Sequence, residues 1–597
     1  MSKKEEKDGR FTRRQFIQSA AAVAAGSALA GRAGAKDRDD RDDRRDPPGH
    51  TDADTILENG QIHTMDAKNR VVSEVAIRNG RFLSVGEAHP GPRTQRINLR
   101  GRTVVPGIID NHNHIVLMGN RPGYHTPLEN ALSVQEALQI YAARAAGLPN
   151  RDAWITTIGG FHSNHLYSAP TSDPNYKTSG RFPTLAELDS VVPNNPAFMM
   201  ISFTGPGSTN SAGKSILQAQ GVTVSDTGAI GTNANTGCSR ALLYLRQTLL
   251  NPAERRRSVI DAMNHSLLVG VTTHLDQGAF QATNTTADGA AHEDNYTMHL
   301  PFLQIYDQDK GSIRLRINFL HMESDPNTPE LVQRLKNAFQ FLGNEWVKTG
   351  AIGEFIAQGT STTSPFNAAA EKVAAAGWRA EVHSLGRRAT PTSNPADFEL
   401  EILGFEAANA KYPGVVRERR WVIAHVPGIT QEWIDRLQAI GGNLSLTGWQ
   451  YLAGNPTTST VAPYAGPPFR MIVDSGNRPD GIHSGMSSDG MQIAPMNPWL
   501  HMYYATTGLN ARGVLINGGQ QISRQEVLEL YTRKNGWFLR EEDDLGSIEE
   551  GKLADLVVLN SDYFSIPSED LRRIRSVLTV VGGKIMYDAG ALDTRRW

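Results

Sequence analysis

The chain has 597 residues, 39% of them hydrophobic and 20% charged, with a formal net charge of −2. At roughly 100–200 residues per domain it exceeds one small module, and its near-zero charge gives no electrostatic footprint for nucleic acid. The single cysteine, Cys238, excludes an intrachain disulfide and a cysteine-rich metal site.

The first element in chain order reads as an address. Lys3, Lys4, Lys7, Arg10, Arg13 and Arg14 precede an alanine-rich apolar stretch from Phe16 to Ala30, and Ala33-Gly34-Ala35 forms a small-residue cleavage site. This is signal-peptide anatomy, with an apolar run too short to span a bilayer comfortably. Thr12-Arg13-Arg14-Gln15-Phe16-Ile17-Gln18 resembles the twin-arginine export signal of bacteria. Residues 1–35 are expected to direct the chain through the twin-arginine export machinery, placing it in the periplasm or outside the cell with no stable membrane anchor. That resemblance also implies a protein exported folded, with its metal or cofactor already loaded. Cleavage removes seven basic and three acidic residues and shifts the formal charge from −2 to −6. Residues 36–50, charged with mixed sign as far as Arg45 and closed by Pro47-Pro48-Gly49, read as a disordered linker.

Short strands follow. Ile56-Leu57, Asn59-Gly60 and Gln61–Met65 predict a β-hairpin, and Val75–Ile77, Asn79-Gly80 and Arg81–Val85 predict another. Ile97–Leu99 and Thr103–Val105 complete a unit too small to bury a core alone. Near the other end, Asp555–Leu559 reads as a strand, and Val577–Val581, Gly582-Gly583 and Lys584–Tyr587 as a hairpin. Residues 51–105 and 547–590 are expected to form one discontinuous β-sandwich.

Residues 106–546 alternate apolar runs with helical stretches. Strand candidates are Ile108-Ile109, Val271–Thr273, Leu315–Phe319, Ala351-Ile352, Arg379–Val382, Trp421–Ala424, Leu444–Leu446 and Gly481-Ile482. Eight strand–helix units predict an α/β fold, a (β/α)₈ TIM barrel. More than 150 residues separate the first two strands, so an insertion of about residues 120–255 is expected over the barrel mouth.

The sharpest chemical signal is Pro106-Gly107-Ile108-Ile109-Asp110-Asn111-His112-Asn113-His114. Histidines at i and i+2 on a strand share a face, and at the C-terminal end of a barrel strand that face looks into the mouth. Neutral imidazoles so placed bind a metal ion. His383, His425 and Asp489 each follow a predicted strand. Taken singly, each reads equally as a hydrogen-bonded structural residue; four histidines and an aspartate in strand order do not read as core.

The segments Pro106–His114, Val382-His383, Ala424-His425, Ser487–Asp489, Ala494–Pro498, Leu545–Leu556 and Thr579–Lys584 together resemble the metal-dependent amidohydrolase superfamily, in its branch similar to N-substituted formamide deformylase. The resemblance spans about residues 51–590. It implies a barrel flanked by a β-sandwich and one or two divalent ions, usually zinc. By position it implies metal ligands at His112, His114, His383 and His425, with Asp489 both binding metal and taking the proton of the attacking water. Many relatives carry a carboxylated lysine on the fourth strand. Here Lys348 sits at the start of that strand, at the wrong end, and Glu354 nearer the mouth is expected as the bridging carboxylate; a mononuclear site supported by Glu354 is the competing arrangement.

Asp276 and His321 fall at the ends of strands 2 and 3, where a structural or supporting role reads as well as a site role. Trp154, Phe161, His162 and His165 belong to the insertion, as a substrate lid or as its packed core. Relatives often carry a histidine shortly before the position of Asn210-Ser211; here Phe203–Thr209 has none. Cys238 reads as a small buried residue. The expected function is hydrolysis of a C–N bond in a small amide, formamide or cyclic amide. The same metal site serves lactone or ester hydrolysis, deamination or hydration equally well, and a non-catalytic binding protein is the third class. A small-molecule substrate is the expected partner, and an oligomer is compatible with the chain.

Overall fold

The computed structural model describes residues 52–279, 291–358, 364–387, 396–454 and 466–594. The export-signal and linker expectations for residues 1–50 lie outside the described residues. Among those described, no helix is long and apolar enough to cross a membrane.

Eight parallel strands carry the centre of the fold: β1 (Ile108–Asn113), β2 (Val271–Asp276), β3 (Arg314–Phe319), β4 (Val347–Ile352), β5 (Glu381–His383), β6 (Val422–His425), β7 (Asn443–Thr447) and β8 (Ser484–Ser487). They hydrogen-bond as two runs, β4-β3-β2-β1 and β5-β6-β7-β8. A parallel bridge between Ile352 and Ala380 joins β4 to β5. The Asp489 amide donates to His112 O at 2.9 Å and joins β8 to β1. The ring is thereby closed into a TIM-like α/β barrel.

The strands are short and buried on both faces, as in β6 and β7, because one face meets the barrel interior and the other meets helices. Ile423, Leu444, Leu446 and Met486 share one core with Phe405, Ile434 and Leu437 from the helices Asp397–Lys411 and Gln431–Ala439. The last strand differs from expectation. Gly481 closes a turn onto Arg478 O, and the strand begins only at Ser484. Its sequence is Ser-Gly-Met-Ser, so hydrophobicity does not reveal it. Gly485 is required by packing: a Cβ there would stand 2.1 Å from Asn535 Oδ1 and 2.4 Å from Asn111 Nδ2.

Strands from both chain ends build two further sheets. One pairs Arg81–Val85, Val75–Arg78, Thr55–Glu58 and Gln95–Asn98; the other runs Lys584–Asp588, Ser576–Val581, Leu556–Leu559, Thr103–Pro106, Gln61–His63 and Val71–Val72. Leu57, Ile77 and Phe82 of the first sheet pack with Ile62, Val104, Leu556 and Leu578 of the second in one apolar cluster. The first predicted hairpin is corrected here. Thr55–Glu58 pairs with Val75–Arg78 and Gln95–Asn98, whereas Gln61–His63 pairs with Val71–Val72 and Thr103–Pro106. Asn59-Gly60 is thus a crossing between sheets: the left-handed φ of 56° at Asn59 turns the chain out of one and into the other.

Between β1 and β2 the chain forms a mixed five-stranded sheet, ordered Ala229–Ile230, Gly207–Thr209, Ala197–Met200, Ile155–Ile158 and Tyr124–His125. It returns through the helix Pro252–Val269, capped by Asn251 and stopped by Gly270 at φ 87°, directly into β2. This segment touches the loops that follow β7 and β8. Asn164 Nδ2 donates to Leu452 O at 2.9 Å, and the Gly160 amide donates to Gln492 O at 3.3 Å. A side chain at Gly160 would collide with Met491 Sδ, so the contact is backbone against loop.

Candidate metal centre

The C-terminal ends of the barrel strands bring His112, His114, Glu354, His383, His425 and Asp489 together. Ligand atoms of His112, Glu354, His425 and Asp489 all lie within 4.8 Å of one another, and all four residues are buried. Glu354 stands at the middle. Its Oε1 is 3.1 Å from His114 Nε2, and its Oε2 is 3.1 Å from His112 Nε2, 2.9 Å from His383 Nδ1 and 3.2 Å from His425 Nε2. Asp489 Oδ1 closes one side, 3.6 Å from His114 Nε2 and 3.9 Å from His112 Nε2. His383, stacked on the Phe355 ring at 4.9 Å, is the partly exposed member.

The far nitrogens fix the rings. His114 Nδ1 reaches the Gly278 carbonyl at 2.9 Å, which only accepts, so the proton sits on Nδ1 and the Nε2 lone pair points into the cluster. His112 Nδ1 faces Glu381 Oε1 at 3.0 Å and adopts the same tautomer. Glu381 is held in turn by Gln277 Nε2 at 2.8 Å and Asn318 Nδ2 at 3.3 Å. Two imidazole lone pairs aimed at carboxylate oxygens 3.1 Å away repel unless a positive charge lies between them. Without a metal that charge is a proton. Burial alone would lower both histidines, but Glu354 and Glu381 push His112 up to about 10, and Glu354 and Asp489 push His114 up to about 9.

Burial and the neighbouring Glu354 carboxylate raise Asp489, while the surrounding imidazoles overcome burial and hold Glu354 well below the usual carboxylate range. Asp489 Oδ2 is buried without a hydrogen-bond partner. An orphaned carboxylate oxygen, two inward lone pairs and a carboxylate ringed by imidazoles make a donor set that fits a divalent cation.

Local backbone sets these positions. His425 and Asp489 both occupy the left-handed region, at φ 70° and 57°. Such conformations cost of order 1–3 kcal/mol and concentrate at functional sites. Asp110 fixes the second: its Oδ1 accepts the Ser488 amide at 2.9 Å and its Oδ2 the Ser488 hydroxyl.

The lesser candidates fall elsewhere. Asp276 accepts the amides of Val116 and Gly278, each at 3.1 Å, and pairs with His299 at 2.5 Å, so it shapes the turn that offers Gly278 O to His114. His321 is buried beyond β3, 4.0 Å from Glu323. Trp154, Phe161 and His165 are buried in the insertion core, and His162 Nδ1 accepts the Asn164 amide. Asn210 caps the helix Ser211–Ala219. Lys348 pairs with Glu541 at 3.2 Å at the N-terminal end of β4. Cys238 is buried, which pushes its thiol up to about 12. Sequence reasoning missed Glu381, Gln277 and Asn318. Glu381 had a signal: it precedes His383 by two on one strand, and so shares its inward face. Glu129 was also missed. Its Oε2 takes the Met496 amide at 2.6 Å and the Asn497 amide at 3.2 Å, tying the Ala494–Pro498 segment to the insertion.

Fold and site together define a class, the metal-dependent hydrolases built on a TIM-like barrel. The family profile described as Amidohydrolase family matches residues 95–587, and the chain belongs to that family. It is similar to the N-substituted formamide deformylase of Arthrobacter pascens, 23% identical over 570 residues that cover 90% of this chain and 98% of that protein. Among solved structures it resembles an uncharacterized metal-dependent hydrolase from Pyrococcus furiosus (TM-score 0.53, 17% identity, 86% of this chain and 100% of that one). It also resembles the atrazine chlorohydrolase of Arthrobacter aurescens TC1 complexed with zinc (TM-score 0.52, 15% identity, 89% and 95%).

Proposed function

We propose that the chain is an exported hydrolase of a C–N bond in a small amide, formamide or cyclic amide. The observation that carries this reading is Asp489 Oδ2, a buried carboxylate oxygen without a hydrogen-bond partner, on a residue within 4 Å of the His112, His114 and His425 imidazoles at the barrel mouth. His112, His114, His383, His425, Glu354 and Asp489 would hold one or two divalent ions, zinc being the metal named for the Arthrobacter aurescens structure. A divalent ion held there would supply Lewis-acid chemistry, polarising a carbonyl and lowering the pKa of water from roughly 15.7 to about 7. Glu354 turns Oε1 to His114 and Oε2 to His112, His383 and His425, so both of its oxygens face the ligand histidines and either could serve a bound ion.

The proton path belongs to Asp489. Its Oδ2 takes a proton as water oxygen bonds to the carbonyl carbon, then delivers it to the nitrogen as the C–N bond breaks. Burial and Glu354 raise this carboxyl, which brings a general base closer to an acid able to return the proton. The similarity to the formamide deformylase along nearly its whole length supports an amide or formamide substrate. The twin-arginine pattern at residues 12–18 supports export to the periplasm or beyond.

The deciding experiment assays metal-loaded protein against N-formyl amines, N-acyl amines, cyclic amides, lactones and esters. Turnover of an N-formyl or N-acyl amine, lost on chelation and restored by zinc, is expected. Turnover of the lactones or esters alone would overturn the C–N assignment. Protein held in the cytoplasm with Met1 intact would overturn the export reading.

A further inference from the structure

The loop that leaves β5 turns toward the loop that follows β6. Gly386 sits in the left-handed region at φ 62°, and a Cβ there would stand 2.3 Å from the Pro427 carbonyl oxygen. The turn sets Arg387 on the wall of a cleft of about 80 Å³ that the metal-site residues Glu354 and His383 also line. Phe355 and Leu385 supply apolar wall, the first stacked on the His383 ring and the second 47% exposed.

Arg387 is anchored at one edge and open at the other. Asp397 Oδ1 and Oδ2 each accept from its Nε at 3.1 Å, and Oδ2 also accepts the Arg387 amide at 2.9 Å. Asp397 is buried, which fixes the anchor, yet the Arg387 side chain is 57% exposed. Nη1 and Nη2 have no partner among the described residues. Glu401, one turn further along the Asp397–Lys411 helix, is held well above the usual carboxylate range by burial and by Asp397, which makes it a poor rival acceptor. An exposed ion pair of this kind stabilises little. What the anchor achieves is to hold two donor nitrogens in one plane, the arrangement that a carboxylate fills.

We propose that Arg387 selects the substrate, and that the chain acts on amides carrying a carboxylate a short chain away from the scissile bond. The scissile carbonyl lies at the metal centre, the chain runs along Phe355 and Leu385, and the carboxylate meets Arg387 Nη1 and Nη2. The inference deepens the C–N hydrolase reading and rests on it. The shared chemistry is an acidic amide, with its carboxylate on the acyl or on the amine part, and two substrate pairs separate these.

The test uses the full chain loaded with zinc. Glutaric acid monoanilide and pentananilide differ by a carboxylate on the acyl part and are read by aniline release. N-formyl-6-aminohexanoate and N-formylhexylamine differ by one on the amine part and are read by formate release. In at least one pair the acidic member is expected to be preferred by about tenfold or more in kcat/KM, the worth of one charge-assisted hydrogen bond, with the gain in KM. The pair that shows it identifies the part that bears the carboxylate. Arg387→Met is expected to bring that ratio near one, and Arg387→Lys to keep part of it. Each ratio is taken within one preparation, so any loss of folded protein cancels. Acids that bind the metal directly would keep their preference in Arg387→Met. A preference that survives there, or none in either pair with wild type, overturns the proposal and leaves the hydrolase reading standing. Turnover of none of the four substrates overturns both.

Discussion

Glu381 Oε1 stands 3.0 Å from His112 Nδ1, and neither residue is exposed to solvent. The carboxylate fixes the imidazole tautomer and makes its Nε2 a better donor. Glu381→Gln keeps the shape and an oxygen acceptor but removes the charge. Metal affinity is expected to fall about 10–100-fold, the usual cost of losing such a supporting carboxylate. Competition against a chromogenic chelator reads this directly; unchanged affinity would mean that Glu381 only fills space.

Asp489 is expected to be indispensable to turnover and unnecessary for folding. Asp489→Asn conserves volume and removes both the proton acceptor and a metal-facing charge. A fall in kcat of about 100–10,000-fold is expected, the range for a general acid–base group. Near-ultraviolet circular dichroism should remain native, because Asp489 side-chain oxygens support no element of the barrel. A variant that keeps wild-type kcat would move the base to another residue.

The barrel was legible where strands are apolar and the site where strands end. β6 announces itself as Trp-Val-Ile-Ala followed by His425. β8 hides, because its small polar residues fit a crowded interior and leave no hydrophobic signal. The first hairpin misread Asn59-Gly60 for a related reason: a left-handed turn ends a strand equally well whether the chain doubles back or changes sheet. His112, His114, His383, His425 and Asp489 could be picked by position, each at or just beyond a strand end. Gln277 and Asn318 act through a hydrogen-bonded chain to Glu381 that exists only after β2, β3 and β5 are side by side.

The C-terminal segment is fastened to the barrel by charge. Arg314 of β3, wholly buried, gives Nε and Nη2 to the two carboxylate oxygens of Asp555 at 2.7 and 2.9 Å, and Asp555 Oδ1 also accepts the Gly582 amide at 2.7 Å. Asp555→Ala would leave a buried guanidinium uncompensated, for an expected loss of about 3–5 kcal/mol. Replacing both partners by apolar residues, Arg314→Met with Asp555→Leu, should recover most of it, because no unpaired charge remains. Urea midpoints of the three proteins provide the comparison; equal midpoints for single and double variants would show that the pair contributes only shape.

Acid sensitivity should come from histidines remote from the metal. Burial lowers His165 and His274 to about 3 and His501 to about 4. In the unfolded chain each binds its proton near pH 6.5, so the unfolded state gains protons first as the solution is acidified. Their contribution to stability is complete above pH 6.5 and is lost progressively from there down to about pH 3, at up to about 1.4 kcal/mol per pH unit for each group. His112 and His114 carry the opposite sign in metal-free protein: raised above the unfolded value, they stabilise at low pH and lose that contribution as pH climbs through about 9 to 10. Metal release at low pH would also weaken the fold, so the slope of a single protein is not diagnostic. His165→Phe separates the two causes. The residue is buried in the insertion, its ring 6.4 Å from that of Phe161, and the variant leaves the metal centre unchanged. Between pH 6.5 and 4, the pH dependence of its unfolding free energy is expected to be shallower than wild type by one proton. Parallel curves would show that His165 takes no part in the acid sensitivity.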